Sequence, residues 1–351
     1  MSNAHRIVVV APSWIGDMVM AQSLFIGLRQ RLPSAVVDVY APPVTARLAA
    51  RMPEIDDAVE SDLGHGELGL GKRRREAATL AERGYDQAIV LQRSAKAALV
   101  PWLAGIDQRT GVRGELRYGL INDVRTIDTK RYPLKVEHYA LLGLAHDDEP
   151  LGSIARPCLS VDHANQAALL ARLGLSSERP AVGFAPGAAY GPAKAWPTSH
   201  YTRLAGELDA RGWACWIFGS ATDRPLAEAM ASAAPRHGVN LVERTSLADV
   251  IDLAAATTRF IGNDTGIMHL ASASAPSVIG LYGSTDPDYA PPLARESQRL
   301  WRGMDCSPCR ERECPLSHHA CLADLSVADV LHACLTPGAA HISSLHAFTH
   351  Y

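Results

Sequence analysis

Three strand–loop–helix junctions carry the residues best suited to chemistry on an anionic substrate. In residues 260–271 (FIGNDTGIMHLA) an apolar strand end runs into Asn263, Asp264, Thr265 and Gly266. A helix follows, with His269 in its first turn. Unpaired N–H groups at such a helix start attract a phosphate or another anion. Asp264 is itself anionic, so it suits hydrogen bonds from a ribose, from backbone amides or from Lys194. Thr265 and Gly266 offer N–H donors to a diphosphate. His269 can donate to a phosphate oxygen or pack as a hydrogen-bonded core histidine. The second junction, residues 184–197 (FAPGAAYGPAKAWP), is rich in Gly, Ala and Pro, Gly187 among them. Small side chains let backbone N–H groups approach a phosphate. Lys194 is its only cation. It either neutralises charge growing on a diphosphate leaving group or sits solvated at the surface. Trp196 and Pro197 are expected to pack beneath this loop. The third junction, residues 12–17 (PSWIGD), follows the first apolar run. Gly16 permits a tight turn there. Asp17 is placed either as a general base for an incoming hydroxyl or as a helix N-cap.

Alternating strands and helices must position these loops. Residues 6–11 form a continuous apolar run, as a strand buried on both faces requires. A helix over 18–31, a strand over 36–41, a short helix over 43–50, a helix over 70–83, a strand over 87–91 and a helix over 95–104 follow. After the polar stretch 147–157 (DDEPLGSIARP) the pattern restarts with a helix over 164–173 and a strand over 181–185. Helices over 200–211, 224–234 and 247–257 then alternate with strands over 213–218, 239–242, 260–263 and 277–282. This order predicts doubly wound parallel sheets in two lobes, with ligands at the C-terminal ends of the strands and the active site in the cleft between lobes.

Size and composition limit the reading further. A chain of 351 residues fits two domains, and 47% hydrophobic with 20% charged residues fits an ordinary globular protein. The net charge of −3 argues against general nucleic-acid affinity, so any anionic partner must meet a local basic patch. No apolar run is long enough to span a bilayer, and the N-terminus lacks the order of a signal peptide, which predicts a cytoplasmic protein. The sequence contains no complete Walker loop and no GxSxG or HExxH motif.

Six segments, taken in order, resemble a known family. They are PSWIGDMVMAQSL (12–24), LGHGELGLGKRR (63–74), AALVPWLAGIDQRTGVRGELRYGLINDVR (97–125), PGAAYGPAKAWP (186–197), NDTGIMHLA (263–271) and YGSTDPDYAPPL (282–293). They resemble the ADP-heptose:lipopolysaccharide heptosyltransferases, glycosyltransferase family nine, over residues 6–335. The resemblance implies an α/β GT-B fold, two Rossmann-like doubly wound domains facing across a cleft. Residues 1–160 would bind the acceptor and residues 161–351 the ADP-sugar. It implies inverting transfer of L-glycero-D-manno-heptose from ADP-heptose to the first heptose of the lipopolysaccharide inner core, on a Kdo–lipid A base. Asp17 then matches the base and Lys194 the residue that stabilises the diphosphate. Gly187, Thr245, Asp264, Thr265, Gly266 and His269 match the donor site. Arg109, Arg113, Arg117 and Arg125 lie in the block particular to members that add the second heptose, and are candidates for binding acceptor phosphates and carboxylates. The alternatives are a member adding the first heptose, another family-nine core transferase, and a catalytically silent sugar-nucleotide-binding scaffold.

The resemblance requires no cofactor for catalysis and no nucleic-acid partner. It places the protein at the cytoplasmic face of the inner membrane, in peripheral contact with it. The basic run Lys72, Arg73, Arg74 and Arg75 either meets that anionic surface or forms a solvated helix face. One departure stands out. The family's LAGxTSL segment reads LVERTSL at residues 241–247, without the glycine, although Thr245 and Ser246 remain. Ser220 and Asp223 are further candidates for ribose or adenine contact.

Four of the seven cysteines cluster as Cys306, Cys309, Cys314 and Cys321, with His318 and His319 between them. Four thiolates at this spacing suit a tetrahedral structural zinc or an iron–sulfur centre. Reduced cysteines packed in a loop, or disulfides formed on purification, are the alternatives.

Overall fold

The run at the start of the chain forms β1 (Arg6–Val10), whose residues 7–10 are buried. The protein is represented by a computed structural model that describes residues 4–64, 67–145, 148 and 153–336. Residues 65 and 66 of the LGHGELGLGKRR segment lie outside the described residues, as does part of the stretch 147–157. The chain divides into two compact units, Met1–Cys158 and Leu159–Tyr351.

In the first unit β1 leads into α1 (Ile15–Arg31), then β2 (Val36–Ala41), α2 (Pro43–Ala46), β3 (Asp57–Glu60) and α3 (Leu70–Glu82). There follow β4 (Gln87–Val90), α4 (Ala95–Leu103), β5 (Gln108–Val112), β6 (Asp123–Arg125) and α5 (Lys135–Leu142). The strands form one sheet in the order β3-β2-β1-β4-β5-β6, every pairing parallel. The chain winds outward from β1 to β3 and then crosses back to β4, so the topological switch lies between β1 and β4, where ligands bind in such sheets. Buried Val8, Val10, Ala88 and Val90 pack against Ala77, Leu80 and Ala98 of the covering helices.

The second unit repeats the plan. It comprises α6 (His163–Leu173), β7 (Ala181–Ala185), α7 (Thr198–Asp209), β8 (Ala214–Ile217), α8 (Arg224–Ala233) and β9 (Gly238–Asn240). It continues with α9 (Leu247–Ala255), β10 (Arg259–Asn263), α10 (Gly266–Ser272), β11 (Ser277–Tyr282), β12 (Glu296–Trp301), α11 (Ala320–Ala323) and α12 (Val327–Leu335). Its sheet runs β12-β11-β10-β7-β8-β9, again parallel, with the switch between β7 and β10. β7, β10 and β11 are buried along their whole length, which explains their near-continuous apolar sequences. Two doubly wound Rossmann-like units make up the α/β GT-B class expected from the sequence. Among the described residues no helix is long and apolar enough to cross a membrane.

Candidate active site

Two of the three junctions belong to the second unit, and the sheet order brings them together. The loop after β7 and the loop after β10 leave neighbouring strands at the same sheet end. Asn263, the last residue of β10, joins them. Its side chain is fully buried and uses all of its hydrogen-bonding capacity. Nδ2 donates to the carbonyls of Pro186 at 2.7 Å and Gly187 at 3.1 Å. Oδ1 accepts from the Trp196 N–H at 3.2 Å and the Tyr201 hydroxyl at 3.0 Å. Trp196 is buried under the loop as expected, and its indole N–H donates to the Leu325 carbonyl at 2.8 Å. Sequence reading had no role for Asn263. The available signal was a polar amide closing an apolar strand, which only buried hydrogen bonds can justify.

Lys194 and Asp264 meet on this frame. Lys194 Nζ donates to Asp264 Oδ2 at 2.8 Å and to the Asp264 carbonyl at 3.1 Å. His269 Nε2 lies 3.0 Å from Asp264 Oδ1. Lys194 is therefore not a solvated surface lysine; its side chain is 14% exposed. Burial pushes the Asp264 carboxyl upward, but the His269 hydrogen bond and the His269 and Lys194 charges outweigh it and hold the group well below the usual carboxylate range. Thr265 caps α10 through its backbone alone, and Gly266 opens the helix.

The remaining donor candidates have partners of their own. A Cβ at Gly187 would meet Asp223 Oδ1 at 2.8 Å, so only glycine lets the loop pass that carboxylate. Asp223 itself accepts from the Ser220 N–H at 2.8 Å and hydroxyl at 2.9 Å. The Thr245 hydroxyl donates to the Leu241 carbonyl at 3.3 Å, and Ser246 caps α9. Glu243 takes the place of the family's glycine and adopts a left-handed backbone with φ 57°. This is a conformation that glycine adopts at less cost than a residue with a side chain.

Asp17 belongs to the first unit, at the switch between β1 and β4. It is the third residue of α1, and Trp14 occupies the N-cap position, so the N-cap role considered for Asp17 does not hold. Its carboxylate pairs instead with the ammonium of Lys135, the first residue of α5. Nothing in the sequence linked these two, because the pairing is made by the packing of α1 on α5.

The four arginines of the 109–125 block separate into different environments. Arg109 spends its guanidinium on carbonyls, including Leu120 at 2.8 Å and Gly119 at 3.2 Å. Arg117 is 5% exposed and donates to the carbonyls of Gln92, at 2.7 Å, and Val112. Arg125 makes a bidentate pair with Asp123, both contacts 2.8 Å. Arg113 is exposed. The basic run also departs from a uniform helix face. Arg73 is buried and donates to the carbonyls of Leu68, Lys96 and Glu67 at 2.6, 2.7 and 3.0 Å. Lys72 pairs with Glu67 at 3.1 Å, which leaves Arg74 and Arg75 exposed.

Cys306, Cys309, Cys314 and Cys321 are free cysteines. Among the described residues no three His, Cys, Asp or Glu side chains are arranged to hold a metal ion, so the structure gives the zinc or iron–sulfur expectation no support. The four thiols lie near enough for Cys306, Cys309 and Cys314 to act electrostatically on Cys321. The backbone N–H of His319 lowers the pKa of Cys314, with further help from Leu316, His318 and Ser317. Burial raises that of Cys321, whose sulfur would lie 3.1 Å from a Cβ at Gly283.

The chain is similar in sequence and fold to known proteins. The model of glycosyltransferase family 9 (heptosyltransferase) matches residues 73–320. Lipopolysaccharide heptosyltransferase 2 of Escherichia coli (strain K12) is 40% identical over 335 residues, covering 93% of this chain and 96% of that one. Lipooligosaccharide heptosyltransferase 2 of Haemophilus influenzae is 43% identical over 300 residues, covering 82% and 86%. The solved structure of E. coli ADP-heptose lps heptosyltransferase II matches with a TM-score of 0.81 at 37% identity, covering 94% of this chain and 98% of that one. With this match over most of its length and its two doubly wound units, the chain belongs to glycosyltransferase family 9.

Proposed function

We infer that this protein transfers L-glycero-D-manno-heptose from ADP-heptose to the first heptose of the lipopolysaccharide inner core, with inversion at the anomeric carbon. The observation that carries the reading is the Lys194–Asp264–His269 cluster beside a small-residue loop, at the switch point of the second sheet. Identity of 40% to a heptosyltransferase 2 along nearly the whole chain supports the choice of acceptor.

The reaction breaks the bond between the heptose anomeric carbon and ADP, and an acceptor hydroxyl oxygen forms the new bond. Charge grows on the departing diphosphate. Lys194 and the N–H groups of the Gly187 loop and of Thr265 and Gly266 are placed to absorb it. The Lys194 ammonium has three N–H bonds, two of them directed at Asp264, so a third serves a phosphate oxygen. Asp17 takes the proton of the acceptor hydroxyl, and Lys135 holds its carboxylate in place. Inversion follows from a single in-line displacement. No step calls on the cysteines, and a structural zinc there is not part of the proposal.

Arg113 meets the acceptor's anionic groups, whereas Arg109 and Arg117 shape the surrounding loops. We read the same region as the membrane-facing surface. Leu116 and Tyr118 are 84% and 82% exposed, and the Arg93 guanidinium donates to the Arg113 carbonyl at 3.2 Å beside them. Two projecting apolar side chains flanked by arginines match an anionic bilayer.

The test is ADP release from ADP-heptose with two lipid acceptors, one bearing a single heptose and one bearing Kdo only. Release on the monoheptosylated acceptor alone supports the reading. Release on the Kdo acceptor alone reassigns the protein to addition of the first heptose. Release on neither refutes the transfer.

A further inference from the structure

The cysteine-bearing segment lies directly against the donor loop. The Arg312 carbonyl accepts the Ala193 N–H at 3.0 Å. A Cβ at Gly191 would run into the same carbonyl, so the close approach requires glycine. The Tyr190 hydroxyl donates to the Arg310 carbonyl at 3.0 Å. The segment is anchored in turn to the loop after β11. The Arg310 N–H donates to the Ser284 carbonyl at 2.6 Å, and the Ser307 hydroxyl to the Gly283 carbonyl at 2.5 Å.

Tyr190 links this strap to the reaction. Its ring centroid lies 4.9 Å from Lys194 Nζ and 5.1 Å from Arg312 Cζ. A lysine side chain is flexible, and its ammonium is a point charge with rotatable donors. Asp264 fixes two of those donors, and the tyrosine ring restricts where the ammonium can move. The hydroxyl bond to Arg310 stops the ring from swinging away.

We propose that Tyr190 is a positioning residue for Lys194, and that the 306–314 segment is the strap that holds Tyr190 in place. This rests on the reading that Lys194 meets the donor diphosphate. It gives the cysteine segment a part in donor handling that needs no bound ion.

The experiment is a double-mutant cycle of Tyr190→Leu and Lys194→Ala, read by kcat, by the KM of each substrate and by ADP affinity in calorimetry. Thermal unfolding confirms that each variant is folded. Tyr190→Leu is expected to lower kcat about 3- to 30-fold, the range of a desolvated cation–π contact, with acceptor KM unchanged. Tyr190→Trp, which keeps an aromatic face, restores most of the loss. In the Lys194→Ala background Tyr190→Leu has no further effect. Gly191→Ala, which displaces the strap, lowers kcat in the same way. Full additivity of Tyr190→Leu and Lys194→Ala overturns the proposal, as does an unchanged kcat in Tyr190→Leu. Absence of heptose transfer by the unaltered protein would refute the function reading instead. The ADP-affinity cycle would still decide the coupling of Tyr190 to Lys194.

Discussion

Replacing Asp264 with asparagine tests whether the buried cluster is held together by charge. The substitution keeps the shape of the side chain and removes the negative charge between Lys194 and His269. Breaking a buried ion pair by neutralising one partner costs about 3–5 kcal/mol, because the other charge stays buried. Lys194 retains the Asp264 carbonyl at 3.1 Å and the Tyr190 ring, which places the cost near the lower limit. For a unit the size of Leu159–Tyr351 a loss of about 3 kcal/mol lowers Tm by roughly 6–12 °C. Tryptophan fluorescence reports the transition well, since Trp196, buried beside Asn263, belongs to this unit together with Trp213, Trp216 and Trp301. The pH dependence supplies a second check. A carboxyl whose native pKa is depressed contributes fully above its unfolded value of about 3.9 and loses that contribution as pH falls toward its native value. The gap between native protein and Asp264→Asn should therefore narrow by about 1.4 kcal/mol per pH unit below about 4. A Tm within 2 °C of the native protein at pH 7, or a gap that stays unchanged as pH falls below about 4, would refute the reasoning.

Five further variants have expected outcomes. Asp17→Asn lowers kcat by about 10²–10⁴-fold in steady-state ADP release while leaving donor KM unchanged; an active variant would remove Asp17 as the base. Arg117→Ala, which strips the Gln92 and Val112 carbonyls of a charged donor, costs about 2–3 kcal/mol in urea unfolding. Arg113→Ala leaves unfolding within about 0.5 kcal/mol of native and raises acceptor KM, so equal behaviour of the two would contradict their assignment. Glu243→Gly relieves a left-handed backbone and raises stability by about 1 kcal/mol, the lost exposed pair with Arg224 counting for little. The double variant Leu116→Ser with Tyr118→Ser sediments less with anionic phospholipid vesicles while turning over a water-soluble, deacylated acceptor at the native rate; unchanged sedimentation would remove that surface from the membrane.

Much of the frame was legible because buried parallel strands are written as apolar runs. β1, β2, β7, β10 and β11 were all visible for this reason. β5 and β6, QRTGV and DVR, were not, because their hydrophobic content is low and β6 is an edge strand. β12, ESQRLW, was hidden likewise, with a single buried leucine at the other sheet's edge. The helix expected over 43–50 breaks after Ala46 into a tighter turn. Within the site, residue types at junctions identified Lys194, Asp264 and His269. They left the Lys194 bond to Asp264 as one of three possibilities, and its choice depends on β7 lying beside β10; the His269 contact to Asp264 was not foreseen. The pairing of Asp17 with Lys135 and the inward turn of Arg73 and Arg117 were invisible for the same reason. An arginine bound to carbonyls reads in sequence like one bound to a ligand.

The buried amide of Asn263 has a consequence for inhibitors. Three hydrogen bonds from one buried side chain tie the 184–197 loop to the sheet, and a fourth ties it to Tyr201 of α7. A compound that fits this loop then spends little of its binding free energy on ordering it. Rigid nucleotide mimics shaped to the loop should gain affinity over flexible ones. Resistance by substitution at the loop's anchor would come at the expense of the fold that makes the enzyme, because the same amide also anchors the core through Tyr201 and Trp196.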